Sequence, residues 1–519
     1  MPPAGLPAGL SNRPRQVYVP LMMARLNPPF RVFIAVALFA CLAPAASASS
    51  SVPAPVARAL AAAAIPVDHV AIWVQETGAS RPRLAHNASA SMNPASVIKL
   101  LTTYAALELL GPSYSWKTEA WTAAPLIGDV LSGDLVLRGG GDPKLTVENF
   151  WLLLRALRAR GLREIRGDLV LDRHWIDGGD HDPGRFDGQP NQPYNVGPDA
   201  LLLNFKAFRF FFVPDLDKRT VSVLSEPPSA ALNVSSDVQL AEGLCEDWRA
   251  GLRADFSNNG HSAQASFSGA FPAACGERVW NVALLAHPAY VFGVFKRLWE
   301  ELGGVFTGAL REGPVPVGSR LLYTHQSPTL AEVVRDINKF SNNVMARQLF
   351  LGISAELAGP PGRSERSAAV VKGWAEQKGI KMPELILDNG SGLSRDERIS
   401  AANLGRLLLS AYASPVMPEF MASLPLVAYD GTMRRRMKSD SVAGRAHIKT
   451  GSLAGVRTLA GYVLDRHGRR HAVVFFINHA GAVAGQPAQD ALLRWVYEGD
   501  EECLPTPTRS GRRTSACAH

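Results

Sequence analysis

The sequence predicts a mixed α/β (α+β) chain in which one domain is interrupted by an inserted unit. Three observations carry that expectation. A nearly all-apolar helical stretch follows Asn93-Pro94, and the stretch from about residue 445 onwards reads as successive strands around a tight turn. Between them, residues 118–321 alternate short strands and helices in a pattern of their own. At 519 residues the chain is too long for one ordinary core, so two or three domains are expected.

The elements follow in order. Counting from Met23, Arg25 and Arg31 form a basic leader, residues 32–42 are apolar, and Ala46-Ser47-Ala48 is an A-x-A cleavage site. Residues 1–48 are thus expected to be an export signal whose start is Met1 or Met23. The apolar run is short of the roughly 20 residues a spanning helix needs, so no transmembrane anchor is expected in the mature chain. Lipidation at Cys41 is the alternative, which Phe39 fits poorly. A helix at 56–64 and strands at 70–74 and near Leu84 come next, the strands parted by turn residues 78–82. The apolar helix then runs to about Leu110, with Asn93 suited to its N-cap, Pro94 to its first turn and Gly111-Pro112 to its stop. Apolar on nearly every side, it belongs inside a core.

In the insert, a strand at 134–137 leads into Gly139-Gly140-Gly141-Asp142, a helix at 147–160 and a strand at 167–171. No Gly-Lys-Ser/Thr follows the glycines, so they mark a tight turn and not a phosphate loop. A helix at 289–302 followed by Gly303-Gly304 and Gly308-Ala309-Leu310 echoes residues 157–167. The echo fits two related modules, or a chance likeness of helix endings. Beyond the insert come helices at 329–336 and 343–351, a loop at 388–394 and a helix at 400–413. Strands at 445–450, 458–464 and 472–477 precede a last helix at 487–497 and a Thr/Ser/Pro/Arg-rich tail, 501–519, expected to be disordered.

Composition narrows the class. With 47% hydrophobic and 19% charged residues the chain is neither disordered, collagen-like nor a disulfide scaffold. The net charge of +8 comes partly from four arginines before residue 49; without them 50 basic residues face 46 acidic ones. A near-neutral body argues against a nucleic-acid partner. Cys245 and Cys275 lie in one region and can pair as a disulfide or remain two buried thiols. No zincin or C-x-x-C motif is present, and neither a metal nor another cofactor is expected.

Three short motifs carry chemistry. Ser96-Val97-Ile98-Lys99 opens the apolar helix, and its i, i+3 spacing puts a hydroxyl and an amine on one face. A lysine serves as base for such a hydroxyl only when neutral, which burial and a second cation favour. Ser341-Asn342-Asn343 supplies an amide that can both donate to and accept from a peptide. Lys449-Thr450-Gly451-Ser452, on a predicted strand, offers a cation and hydroxyl for a carboxylate and a glycine for close approach. Each alone is weak. Together, in this order and context, they form the S-x-x-K, S-D-N, K-T-G set of penicillin-binding proteins and class A β-lactamases.

On these residues the chain resembles the D-alanyl-D-alanine carboxypeptidase/endopeptidase family, the low-molecular-mass class C penicillin-binding proteins. The likeness includes residues 94–112, 139–143, 340–343, 388–394 and 447–453. It implies a transpeptidase-type domain, an antiparallel sheet flanked by helices, formed by 49–117 and 322–500, with smaller mixed modules inserted at 118–321. It also implies an exported, periplasmic serine peptidase acting on peptidoglycan stem peptides and inhibited covalently by β-lactams. Ser96 would be the nucleophile, Lys99 its base and Ser341 a proton relay. Asn343, Lys449, Thr450, Gly451 and Ser452 would hold substrate, and the backbone N–H groups of Ser96 and Ser452 would form the oxyanion hole. Asn342 stands where the family often has aspartate.

Weaker candidates have plainer explanations. Asp172, His174, Asp177, Asp180, His181 and Asp182 lack metal-ligand spacing and read as a solvated loop. The arginines of 432–436 offer contact with an anionic wall polymer or, more plainly, an exposed charged face, and Pro193-Tyr194-Asn195 is a further place for substrate contact. A serine β-lactamase and a non-hydrolytic wall-binding or β-lactam-sensing protein are the rival functions; the long insert speaks against the first, the complete motif set against the second.

Overall fold

The computed structural model describes residues 51–499; the expected export signal, Cys41, Cys503, Cys517 and the tail lie outside them. Its organising element is a five-stranded antiparallel sheet in the order Ala446–Leu453, Val456–Leu464, Arg470–Asn478, Val70–Glu76, Leu84–His86. Early and late chain meet at its centre, where Val70 stands opposite Ile477 and Glu76 opposite His471. Strand alternation divides the side chains between two cores. Ala71, Trp73, Val474 and Phe476 face a cluster built with helices Lys99–Leu110, Leu330–Phe340, Asn343–Ala358, Ser364–Gln377 and Ala401–Tyr412. Val70, Ile72, Val473, Phe475 and Ile477 face the other, under Ala54–Ala62 and Gln486–Glu498. Each fully buried valine, isoleucine or phenylalanine among them contributes about 1.5–3 kcal/mol. The apolar helix is enclosed as its sequence requires, with every residue from Lys99 to Leu107 buried.

The fold is thus α/β, an antiparallel sheet between helical layers, as the sequence implied. After Trp116 most buried apolar residues from Ala120 to Phe306 form a second cluster, while Ile176 and Ala200 pack into the first and Val196, Leu202 and Ala283 pack with Val344. With strands Leu310–Glu312 and Arg320–Gln326 that region forms a five-stranded and a four-stranded mixed sheet, with helices Val147–Ala159 and His287–Glu301. The echo noted above becomes parallel pairing at constant offset: Val305 lies opposite Glu164, Phe306 opposite Ile165 and Leu310 opposite Leu169. A further six-stranded sheet, between Phe208 and Val282, is absent from the sequence reading. Its strand Leu232–Ala241 pairs in parallel with Ala263–Pro272, and Leu232, Val234, Val238 and Leu240 alternate there with polar residues, a strand pattern interrupted only at Ser236. Cys245 and Cys275 are joined in a disulfide at its border.

Candidate active site

The turn that carries Ser96 is tighter than the sequence suggests. Residues Ala95–Ile98 form a 3₁₀ turn that runs into the α-helix at Lys99, and the Asn93 side chain accepts from the Ala95 N–H at 2.9 Å. Asn93 thus closes a local turn ahead of the helix and does not cap the α-helix itself. In a 3₁₀ turn residues i and i+3 eclipse, which brings Lys99 Nζ to 3.1 Å from Ser96 Oγ. Ala95 pays for the geometry with φ of 45°, a left-handed conformation uncommon for alanine. The turn is locked to the sheet: Thr458 Oγ1 donates to Pro94 O at 2.8 Å, and Asn93 and Asn478 exchange hydrogen bonds of 2.9 and 3.1 Å.

The second motif joins two helices. Ser341 ends Leu330–Phe340 in a left-handed conformation (φ 57°, ψ 37°), and Asn342 caps Asn343–Ala358 by accepting from Met345 N at 3.0 Å. An aspartate could accept that bond as well, so the departure at Asn342 leaves the cap intact. Buried Asn338 donates to Thr103 Oγ1 at 3.1 Å and Ser423 Oγ at 2.8 Å, tying this helix end to the Ser96 helix. Asn343 Oδ1 then accepts from Lys99 Nζ at 2.7 Å.

The third motif lies on the sheet's edge strand, Ala446–Leu453. Lys449 Nζ donates to Ser341 Oγ and to Thr450 O, each at 2.8 Å. Gly451 abuts the Ser96 turn: a Cβ there would sit 2.2 Å from Thr458 Oγ1, 2.8 Å from Ser96 N and 3.0 Å from Pro94 O. Its smallness therefore serves the approach of strand to nucleophile before any ligand arrives. Ile448 N–H points off the sheet edge to Pro425 O at 2.8 Å; by the period of two, the N–H of Ser452 points off the same edge.

Electrostatics follow from burial. Lys99 is fully enclosed, and desolvation, reinforced by Lys449 and Arg347, holds its pKa well below the usual lysine range against the opposing pull of Glu397. Burial pushes Lys449 down to about 7. A neutral lysine has two N–H donors and one lone pair. The two carbonyl oxygens of Asn343 and Ser391 accept from Lys99, so the neutral amine has its lone pair left for the hydroxyl of Ser96.

The chain matches the D-Ala-D-Ala carboxypeptidase 3 (S13) family over residues 52–498. It belongs to that family. It is 30% identical over 441 residues to a D-alanyl-D-alanine carboxypeptidase of an Actinomadura species, covering 81% of this chain and 80% of the relative. The D-alanyl-D-alanine carboxypeptidase DacB of Haemophilus influenzae is 26% identical over 396 residues, covering 76% and 82%. In fold the chain is similar to the crystal structure of penicillin binding protein 4 from H. influenzae, with a TM-score of 0.70 at 23% identity, covering 85% of this chain and 99% of that one. That protein has also been seen complexed with a β-lactam. As an S13 member the chain is a serine peptidase of the D-Ala-D-Ala carboxypeptidase class.

The likeness to the family sets loop 388–394 at the mouth of the candidate S13 site; the individual contacts escaped sequence reasoning. The loop 388–394 is part of its wall: Ser391 supplies the carbonyl to Lys99, and Thr102 Oγ1 donates to Gly390 O at 2.7 Å. Gly392 has φ of 81°, and a Cβ there would lie 2.1 Å from Ala95 O. Beneath the loop, fully buried Glu397 accepts from Asn389 N at 3.2 Å and Gly390 N at 2.8 Å, its other oxygen unpartnered, and burial pushes its pKa up to about 7. Thr432 and Thr450 hydroxyls stand 3.0 Å apart. No motif marks Glu397 or Thr432: Glu397 closes a loop onto Asn389 and Gly390, eight and seven residues earlier, and Thr432 meets Thr450 on another element.

Of the weaker candidates, Thr432 meets Thr450, and Asp172 is buried at the end of strand Leu169–Asp172 and so is not part of a solvated loop. Asp177, Asp180, His181 and Asp182 line a pocket with Asp388, Asn389 and Ser394. His174 pairs with Asp172 and His181 contacts Asn195 O at 2.6 Å; among the described residues no His/Cys/Asp/Glu group is arranged to hold a metal ion. Arg436 is paired with Asp490 at 2.6 Å, while Arg434 and Arg435 are exposed. Among the described residues no helix is long and apolar enough to cross a membrane.

Proposed function

We propose that this protein is an exported serine DD-peptidase that cleaves D-alanyl-D-alanine, and the peptide cross-links of peptidoglycan, through an acyl-Ser96 intermediate. The observation that carries the reading is the buried Lys99 amine, 3.1 Å from Ser96 Oγ, its N–H groups facing two carbonyls. Neutral Lys99 takes the Ser96 proton as Oγ attacks the carbonyl between two D-alanines. The N–H groups of Ser96 and Ser452 receive the oxyanion; loss of one such donor costs about 3–4 kcal/mol in hydrolases of this kind. Ser341, bonded to protonated Lys449, passes a proton to the leaving amine, and the peptide bond breaks. Water then attacks the acyl carbon and gives its proton through Ser341 to Lys449. Lys99 returns its own proton to Ser96. Asn343 holds the substrate amide, and Lys449 with Thr450 binds the terminal carboxylate. A β-lactam acylates Ser96 by the same attack, but its ring-opened fragment stays attached and the enzyme is blocked.

The same reading places catalysis in residues 49–117 and 322–500 and treats 118–321 as inserted modules. It takes 1–48 as the leader that delivers the chain to the periplasm; the basic, apolar and A-x-A order of that segment supports this. The test is mass analysis of peptidoglycan pentapeptide and cross-linked dimer after incubation with the protein. Release of D-alanine and of monomers is expected. Turnover of penicillin faster than of either peptide would instead make the protein a β-lactamase.

A further inference from the structure

A groove of about 710 Å³ opens beside the second motif and runs onto the inserted modules. One end is Ser341 and Asn343; the rest includes Phe340, Tyr194, Trp280 and Arg249. We infer that this groove takes the leaving strand of a cross-linked substrate, the second stem peptide whose amine departs from the acyl-enzyme. The inference rests on the acyl-Ser96 reading, in which Ser341 hands a proton to that amine.

Three features point to this occupant. The groove is continuous with Ser341, where the leaving group must emerge. Its size is that of pockets that enclose drug-sized molecules, far more than one free amino acid fills. Its lining also suits a peptide. Phe340 is 65% and Tyr194 38% exposed, a large apolar surface left open next to a catalytic motif. Its charged members are Glu148, Arg209 and Arg249. Arg209 is paired with Glu226, whereas Arg249 makes no ion pair among the described residues and lies 5.6 Å over the Trp280 ring. An arginine so placed fits a carboxylate of the departing peptide. The wall is also built to hold its shape. The Cys245–Cys275 disulfide ties the segment before Trp248 and Arg249 to the approach of strand Arg278–Val282, which carries Trp280. Tyr194 is fixed by donating from its hydroxyl to Asp187 at 2.8 Å.

The test compares two reactions of the full-length mature protein: D-alanine release from a monomeric pentapeptide, and cleavage of a sugar-free cross-linked peptide dimer. Arg249→Ala and Trp280→Ala are each expected to lower the ratio of dimer kcat/KM to monomer kcat/KM at least tenfold, with Arg249→Lys recovering part of it. Trp280 also packs against Trp248 and Phe267, so Arg249→Ala, at an exposed position, decides the matter if the tryptophan variant does not fold. An unchanged ratio in Arg249→Ala overturns the inference. So does a fall seen only with sugar-bearing dimers, which would make the glycan the occupant. A parent protein that labels with fluorescent penicillin and releases D-alanine but never cleaves dimers overturns the groove alone. One that does none of the three overturns the site reading and the groove together.

Discussion

Gly451→Ala isolates the fit between edge strand and nucleophile. The added methyl would meet Thr458 Oγ1 at 2.2 Å, Ser96 N at 2.8 Å and Pro94 O at 3.0 Å, where ordinary contact begins near 3.4 Å. Two of these atoms are backbone of the Ser96 turn, and Thr458 is itself bonded to Pro94 O, so no flexible side chain can swing aside. The strand must retreat by about 0.5–1 Å, carrying Lys449 and the Ser452 N–H with it. A displacement near 1 Å costs on the order of 10²-fold in rate, or about 2–3 kcal/mol in the barrier. The assay is the acylation rate with fluorescent penicillin, with thermal melting measured beside it. Acylation some hundredfold slower in a folded protein is expected. Adding Thr458→Ala, which removes the closest clash, should restore part of the rate, so that the two changes are non-additive. A folded Gly451→Ala protein acylating within threefold of the parent would refute the reasoning.

Three further outcomes follow from the same geometry. Lys99→Met should slow acylation by about 10²–10⁴-fold at every pH while leaving the melting temperature unimpaired, since an apolar chain replaces a buried amine; in the parent, acylation should rise with pH and level off well below the titration range of free lysine. Glu397 has its folded pKa raised to about 7 from an ordinary 4.5, so its stabilising contribution is full below 4.5 and lost as pH rises through 7. Melting curves from pH 4 to 8 should show the parent losing up to about 3 kcal/mol that Glu397→Gln does not lose, and parallel curves would remove that role. Asn342→Ala should destabilise by about 1 kcal/mol through the lost cap while Asn342→Asp stays near the parent in both melting and acylation.

What was legible in the sequence was local. Ser96 and Lys99 are three residues apart, so helical winding alone unites them, and the apolar faces of residues 97–109 announce burial. The strands near the C-terminus showed as near-continuous apolar runs, residues 472–477 above all, because both faces of that sheet are covered. The contacts that finish the site span long separations: Lys99 to Asn343, Lys99 to Ser391, Lys449 to Ser341. Motif order hinted at the first and third; only the fold brings Ser391 and, beneath it, Glu397 to the lysine. The 3₁₀ turn was hidden because Asn-Pro suits an ordinary helix start equally well. The six-stranded sheet left a signal in strands such as Leu232–Ala241, where Leu232, Val234, Val238 and Leu240 alternate with polar residues, but the break at Ser236 and the exposed polar face weaken it.

The central claim is that Ser96 becomes acylated. It is tested most directly by trapping the protein with penicillin, digesting it and locating the adduct by mass. A single penicilloyl group on the peptide containing Ser96, absent from Ser96→Ala, is the predicted result. An adduct on Ser341, Ser452 or any other residue, or one that survives Ser96→Ala, would contradict the account.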